Sequence, residues 1–198
     1  DLHSFPTRRS SDLEIQKLHR AKSVQIEQWE NFSKQTYRNR CLIATTNGVQ
    51  TLTVPVEHGD SLLIKDIRIS DHGNWRHLHW NALKSAYGES PFFEYYQDDI
   101  RPFFEQRWTF LLDFNEAIRQ KICELIDIQP VVSLTEMYMP DVSEKDYRET
   151  IRPKHPVSDS DFLLKPYYQV YKEKYGFLPN LSILDLLMNM GPEGIYYL

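Results

Sequence analysis

Cysteine is nearly absent, with two residues in a chain of 198, and that excludes a scaffold stapled by disulfides. Long apolar runs are missing as well: no stretch approaches the ~18 consecutive apolar residues that a membrane-spanning helix needs. Positive charge is not in excess, since 23 Lys and Arg stand against 28 Asp and Glu for a formal net charge of −5. Such a chain lacks the basic field that attracts nucleic acid. It also carries no glycine-rich phosphate loop, CxxC pair, HExxH or GxSxG, and no internal repeat. Aromatic residues, by contrast, are plentiful at 13%, with 12 Tyr and 4 Trp, which suits a rigid cleft or an interface. A chain of this length buries roughly 70% of its unfolded surface, so its core needs neither metal nor disulfide. The expectation is one soluble, cytoplasmic domain with no metal and no cofactor.

Residues 1–13, DLHSFPTRRSSDL, show no usable apolar period. They match, letter for letter, the translation of a common sequencing adapter, with Leu13 at the junction. The other reading is a natural basic arm around Arg8 and Arg9. We expect 1–13 to be a non-native segment, set aside as a tag would be. A single domain over 14–198, truncated at its N-terminus, then remains. Arg8 and Arg9 balance Asp1 and Asp12, so the net charge stays at −5 without it.

Beyond that segment, Ser23–Gln28 and Ile64–Ser70 alternate apolar and polar residues, while Arg40–Thr46 and Gln50–Val56 are rich in β-branched ones. All four read as strands, with Asn47-Gly48 as a hairpin turn. The register then turns helical. Trp75, Leu78, His79, Ala82, Leu83, Ala86 and Tyr87 recur at steps of three and four between an N-capping Asn74 and Gly88. Ser90-Pro91 restarts a helix at Phe92, Pro102 breaks it, and a long amphipathic helix follows from Phe104 to about Asp127. Ile128–Thr135 reads as a strand. Residues 139–165, rich in Pro and charge, read as a surface loop with a short helix near Glu144–Thr150. Lys165–Phe177 fits strand or helix. Ser182 caps a final helix over Ile183–Met190, with Asp185 placed as in a capping box and Gly191-Pro192 ending it. Strands followed by a helical second half predict an α+β fold, or a mixed α/β sheet if another strand precedes.

The densest polar and aromatic stretch is residues 70–88. His77 and His79 differ by ~200° around a helix, so they cannot share one metal. His77 pairs with Asn81 on the polar side. His79 shares a face with Trp75, Leu83 and Tyr87, a half-buried aromatic setting in which an imidazole can be tuned for proton transfer; it fits equally a core histidine satisfied by hydrogen bonds. Asp71 and His72 precede the helix, where N-terminal amides attract anions. Tyr37, Arg38 and Arg40 form a second group. If the strand near Arg40 reaches back to Arg38, both guanidiniums share a side and can clamp a phosphate or carboxylate, or they form a solvated face paired with acids. Cys41 and Cys123 read as packing residues. In the last helix Asp185 and Asn189 make a polar i, i+4 pair amid apolar neighbours, so they face a cavity, a hydrogen-bond network or solvent.

At YRNR (37–40), VQTLTVPVE (49–57), ISDHGNWRHLHWNALKSAYGESPFF (69–93) and LSILDLLMNMG (181–191) the chain resembles the WbqC-like family of bacterial proteins. That family shows an aromatic-basic RNR segment, a strand ending in TVPV, a Trp-x3-His-x7-Tyr helix before Pro-Phe, and a terminal Asp-x3-Asn-x-Gly helix. Here these are Tyr37–Arg40, Thr53–Val56, Trp75, His79 and Tyr87 with Pro91-Phe92, and Asp185, Asn189 and Gly191. Family members open with a Pro/Tyr-rich segment, where this chain carries the adapter-like one. The family takes its name from O-antigen gene clusters, so the resemblance implies a part in surface polysaccharide or glycoconjugate synthesis; it supplies no reaction.

Two functions follow. In the first the chain is an enzyme, a transferase before a hydrolase, acting on a sugar-linked or anionic small molecule. His79 is its acid or base, Arg38 and Arg40 hold the anion, Tyr37 and Asp71 belong to the substrate-binding set, Trp75 and Tyr87 shape the wall, and Asp185 and Asn189 orient the substrate. In the second it is a non-catalytic protein partner of a biosynthetic enzyme, docking through its aromatic surface and the 139–165 loop.

Overall fold

The structure is a computed structural model that describes residues 2–6, 12–32, 38–57, 59–140 and 165–198. Three strands make a parallel sheet: β1 (Leu2–Pro6), β2 (Ser23–Glu27) and β5 (Val132–Leu134), in the order β1-β2-β5. The sheet registers Leu2 with Ser23 and Val24 with Val132. The adapter-like segment, set aside in the sequence reading, thus supplies the β1 edge. Parallel ladders are made of main-chain N–H and C=O groups, so extended chain of very different sequences can fill such an edge. Helix α1 (Asp12–Arg20) crosses from β1 to β2 and buries Ile15 and Leu18.

The predicted hairpin forms between β3 (Arg40–Thr45) and β4 (Gly48–Thr53), which pair antiparallel with Thr45 opposite Gly48. The two-residue turn is Thr46-Asn47, one position earlier than expected, and Gly48 takes φ +99°. That left-handed backbone suits glycine. The strand expected over Ile64–Ser70 is not one. Ile64–Asp66 is a single 3-10 turn, and Arg68 and Ile69 make isolated bridges to Phe110 and Val56. Ile67 and Ile69 are buried in alternation as read, but Pro55 across the gap has no N–H, so no continuous ladder can grow there.

The second half is helical: α2 (Trp75–Tyr87), α3 (Phe93–Ile100), α4 (Pro102–Glu105), α5 (Leu111–Ile126), α6 (Lys172–Tyr175) and α7 (Ile183–Met190), then a 3-10 stretch over Gly191–Tyr197. The helix expected from Phe104 to Asp127 is split. The Trp108 indole N–H donates to the Phe103 carbonyl at 3.1 Å, and Phe110 turns extended to bridge Arg68. Leu78 falls on the exposed side of α2, whereas Trp75, His79, Leu83, Ala86 and Tyr87 are buried. Asn74 holds the N-cap position in the left-handed region without a capping side-chain bond. Among the described residues no helix is long and apolar enough to cross a membrane. Residues 141–164, which carry the expected loop helix, lie outside the described ones.

Candidate functional site

The buried face of α2 packs on β3, on α4 and, through Trp75, on Phe114 of α5, and its two halves meet different surroundings. In the first half the His79 ring stands edge-on to Trp75 at 5.2 Å and to Phe104 at 6.3 Å. Trp75 in turn meets Phe114 of α5 at 5.9 Å, and Trp108 closes on Phe114 at 5.6 Å. The imidazole is therefore walled by aromatic rings and 6% exposed. Edge-to-face packing of this kind fixes ring orientation.

Beside Phe114, the Asn115 amide donates at 2.9 Å to the Arg38 carbonyl, and the Asn39 amide donates at 3.0 Å to the Val54 carbonyl. The first bond ties the chain before β3 to α5, and the second ties it to the residue after β4. Among the described residues, Asn39 Oδ1, Arg40 Nε, Trp75 Nε1 and Asn115 Oδ1 are buried polar atoms without a hydrogen-bond partner. Each such atom costs about 1–3 kcal/mol if nothing satisfies it, and folded proteins bury few of them. Two are acceptors and two are donors, one of the donors cationic.

Arg38 does not continue the strand. It sits in the turn before β3, so alternation does not link it to Arg40, and its guanidinium is ion-paired with Glu30. Tyr37 lies outside the described residues. Asp71 is exposed and takes ion pairs from Arg76 and Arg107; the Arg76 hydrogen bond holds its carboxyl below the usual range. His77 meets Asn81 at 2.8 Å, as the spacing predicts.

At the other end of α2, Tyr87 belongs to a buried polar network around α7. Its hydroxyl accepts from the Ala44 N–H at 3.3 Å, and burial, together with the nearby Asp185 charge, pushes its pKa well up. Asp185 is fully buried. Its Oδ2 accepts from the Tyr167 hydroxyl at 2.9 Å and the Gln169 amide at 3.1 Å. Burial raises its pKa to about 6, opposed by these donors and by the Tyr87 and Asn189 side chains. Asp185 therefore does not act as a capping box; Ser182 caps the helix alone, accepting from the Leu184 N–H. Asn189 accepts from the Val170 N–H at 3.1 Å and donates to the Asp185 carbonyl at 2.8 Å. Tyr87 lies eight residues from His79, ~12 Å along the helix, so the structure groups Trp75 and His79 apart from Tyr87, Asp185 and Asn189. Sequence reasoning missed Asn39, Asn115, Tyr167 and Gln169. The two-residue spacing of Tyr167 and Gln169 was the available signal, because period two points both to one side.

Among the described residues no group of three or more His, Cys, Asp or Glu side chains could hold a metal ion. A parallel three-stranded sheet, a separate hairpin and helices that carry the candidate residues define an α+β protein of mixed architecture. The chain belongs to the WbqC-like protein family, whose model matches residues 15–153. It is similar to the uncharacterized protein Rv1507c of Mycobacterium tuberculosis, with 26% identity over 195 residues that cover 84% of this chain and 83% of the relative. No solved structure matches it.

Proposed function

We propose that the chain is an enzyme of surface polysaccharide or glycoconjugate synthesis that acts on an anionic, sugar-linked small molecule at the seam of β3, α2 and α5. The observation that carries this reading is the set of unpartnered buried atoms on Asn39, Arg40, Trp75 and Asn115. Arg40 holds the anionic group, with the Trp75 indole N–H as a second donor, and the two amides take hydroxyls. His79, in its aromatic wall, moves the proton of a group transfer. Asp185, Asn189 and Tyr87 hold α7 and the end of α2 in place rather than touching substrate. The sugar-linked and biosynthetic part of the proposal rests on the family resemblance, and the anionic, hydroxyl-bearing part on the donor set.

The test is His79→Gln in the chromosomal gene, with surface polysaccharide measured at matched protein level. General acid–base catalysis contributes roughly 100-fold or more, so output should collapse while the thermal transition stays in place. Unchanged polysaccharide at unchanged protein level discards the assignment.

A further inference from the structure

The solvent side of α2, opposite His79, forms one wall of an open groove of about 450 Å³ whose other wall is α3 and α4. Arg76, Trp80 and Lys84 follow at i, i+4 and i+8 along the first wall, with His77 and Asn81 beside them. Gln97 and Arg101 face them from the second. Helical spacing thus puts each set on one stripe. Glu105 is the one carboxylate among the described lining residues, and it is bonded to Arg101 Nε at 2.5 Å. Arg76 is in turn ion-paired with Asp71 just outside the lining, so three cations stand against two acids and Lys84 supplies the excess positive charge of this groove in a chain of net charge −5.

The groove also has a fixed aromatic element. Trp80 stacks on Phe93 at 6.1 Å and on Phe104 at 6.2 Å, with interplanar angles of 26° and 28°. An indole held this way offers a flat surface at little entropic cost. Guanidinium and ammonium groups suit phosphate oxygens, and the amides of Asn81 and Gln97 both donate to and accept from hydroxyls. We propose that this groove binds a phosphorylated, hydroxyl-rich small molecule, its phosphate on Arg76, Lys84 and Arg101 and its ring against Trp80. The site shares no polar residue with the seam around His79. Phe104, which lines the groove and meets His79 at 6.3 Å, and Arg76, whose guanidinium lies 5.5 Å from the Trp75 ring, touch both.

Titration calorimetry of the full chain tests this with a hexose 1-phosphate, a nucleoside diphosphate, inorganic phosphate and an unphosphorylated hexose. Binding is expected for the sugar phosphate, the nucleotide or both, more tightly than for inorganic phosphate, with none for the plain hexose; the tighter of the two identifies the source of the phosphate. Lys84→Glu, an exposed change that leaves the fold intact, should weaken binding at least about tenfold, the loss expected for one charge-assisted contact, and Lys84→Arg should restore most of it. His79→Gln should bind as the wild type does, which separates this proposal from the reading of the seam. The proposal is overturned if neither organic phosphate binds, if inorganic phosphate binds as tightly as they do, or if Lys84→Glu is without effect.

Discussion

Asp185→Asn should remove the pH dependence that one buried carboxyl imposes on folding. Burial moves this group from 3.8 to about 6 in the native protein, so the folded chain binds the proton more tightly than the unfolded chain does. Its stabilising share is complete below about 3.8 and is lost as pH rises through about 6. Each pKa unit corresponds to about 1.36 kcal/mol, so the full effect is about 3 kcal/mol. Asparagine is nearly the same shape, and its carbonyl can still accept from Tyr167 and Gln169, which now donate to Oδ2 at 2.9 and 3.1 Å. Urea unfolding of both proteins from about pH 4 to about pH 7.5, at constant ionic strength, gives the difference directly. The variant should gain on the wild type by most of this, about 2 kcal/mol, across that interval. A flat difference, or a variant that loses ground as pH rises, would refute the reasoning. It would mean that the donors around Asp185 outweigh its loss of water and hold it as an anion.

Two further outcomes follow from single contacts. Gly191 adopts φ +56°, and a Cβ there would come within 2.5 Å of the Phe92 ring, so Gly191→Ala should cost more than about 1 kcal/mol and lower the thermal midpoint by several degrees; an unshifted melt contradicts this. Burial pushes the Cys123 thiol up to about 11, against the pull of Arg119, and Cys41 is buried too. An alkylating reagent near pH 8 should label both only after denaturation, and rapid labelling of the native protein would show that the helix opens at α5.

Local patterns carried far in this chain, and where they stopped is instructive. The Trp75–Tyr87 period defined the buried face of α2 because a helix repeats every 3.6 residues whatever surrounds it. Only Leu78, at the margin of that stripe, went to solvent. The β3–β4 hairpin followed from turn chemistry confined to a few residues. Ile64–Ser70 shows the limit. Its alternation was real, since Ile67 and Ile69 are buried, but a strand also needs a neighbour with free donors, and Pro55 lies in the segment it meets.

What the amino-acid order determined by itself is therefore the set of helix faces, the hairpin and the family. Each is written in residues close together or in motifs of fixed spacing. Tertiary packing alone decided that Asn115 of α5 meets Arg38, that Tyr167 and Gln169 close on Asp185, and that α2 and α4 enclose a positive groove. These contacts join residues distant in the chain, through main-chain atoms and side-chain directions that no local period encodes. The same packing leaves Asn39, Arg40, Trp75 and Asn115 with buried polar atoms that have no hydrogen-bond partner among the described residues, and that is a property of the assembled fold.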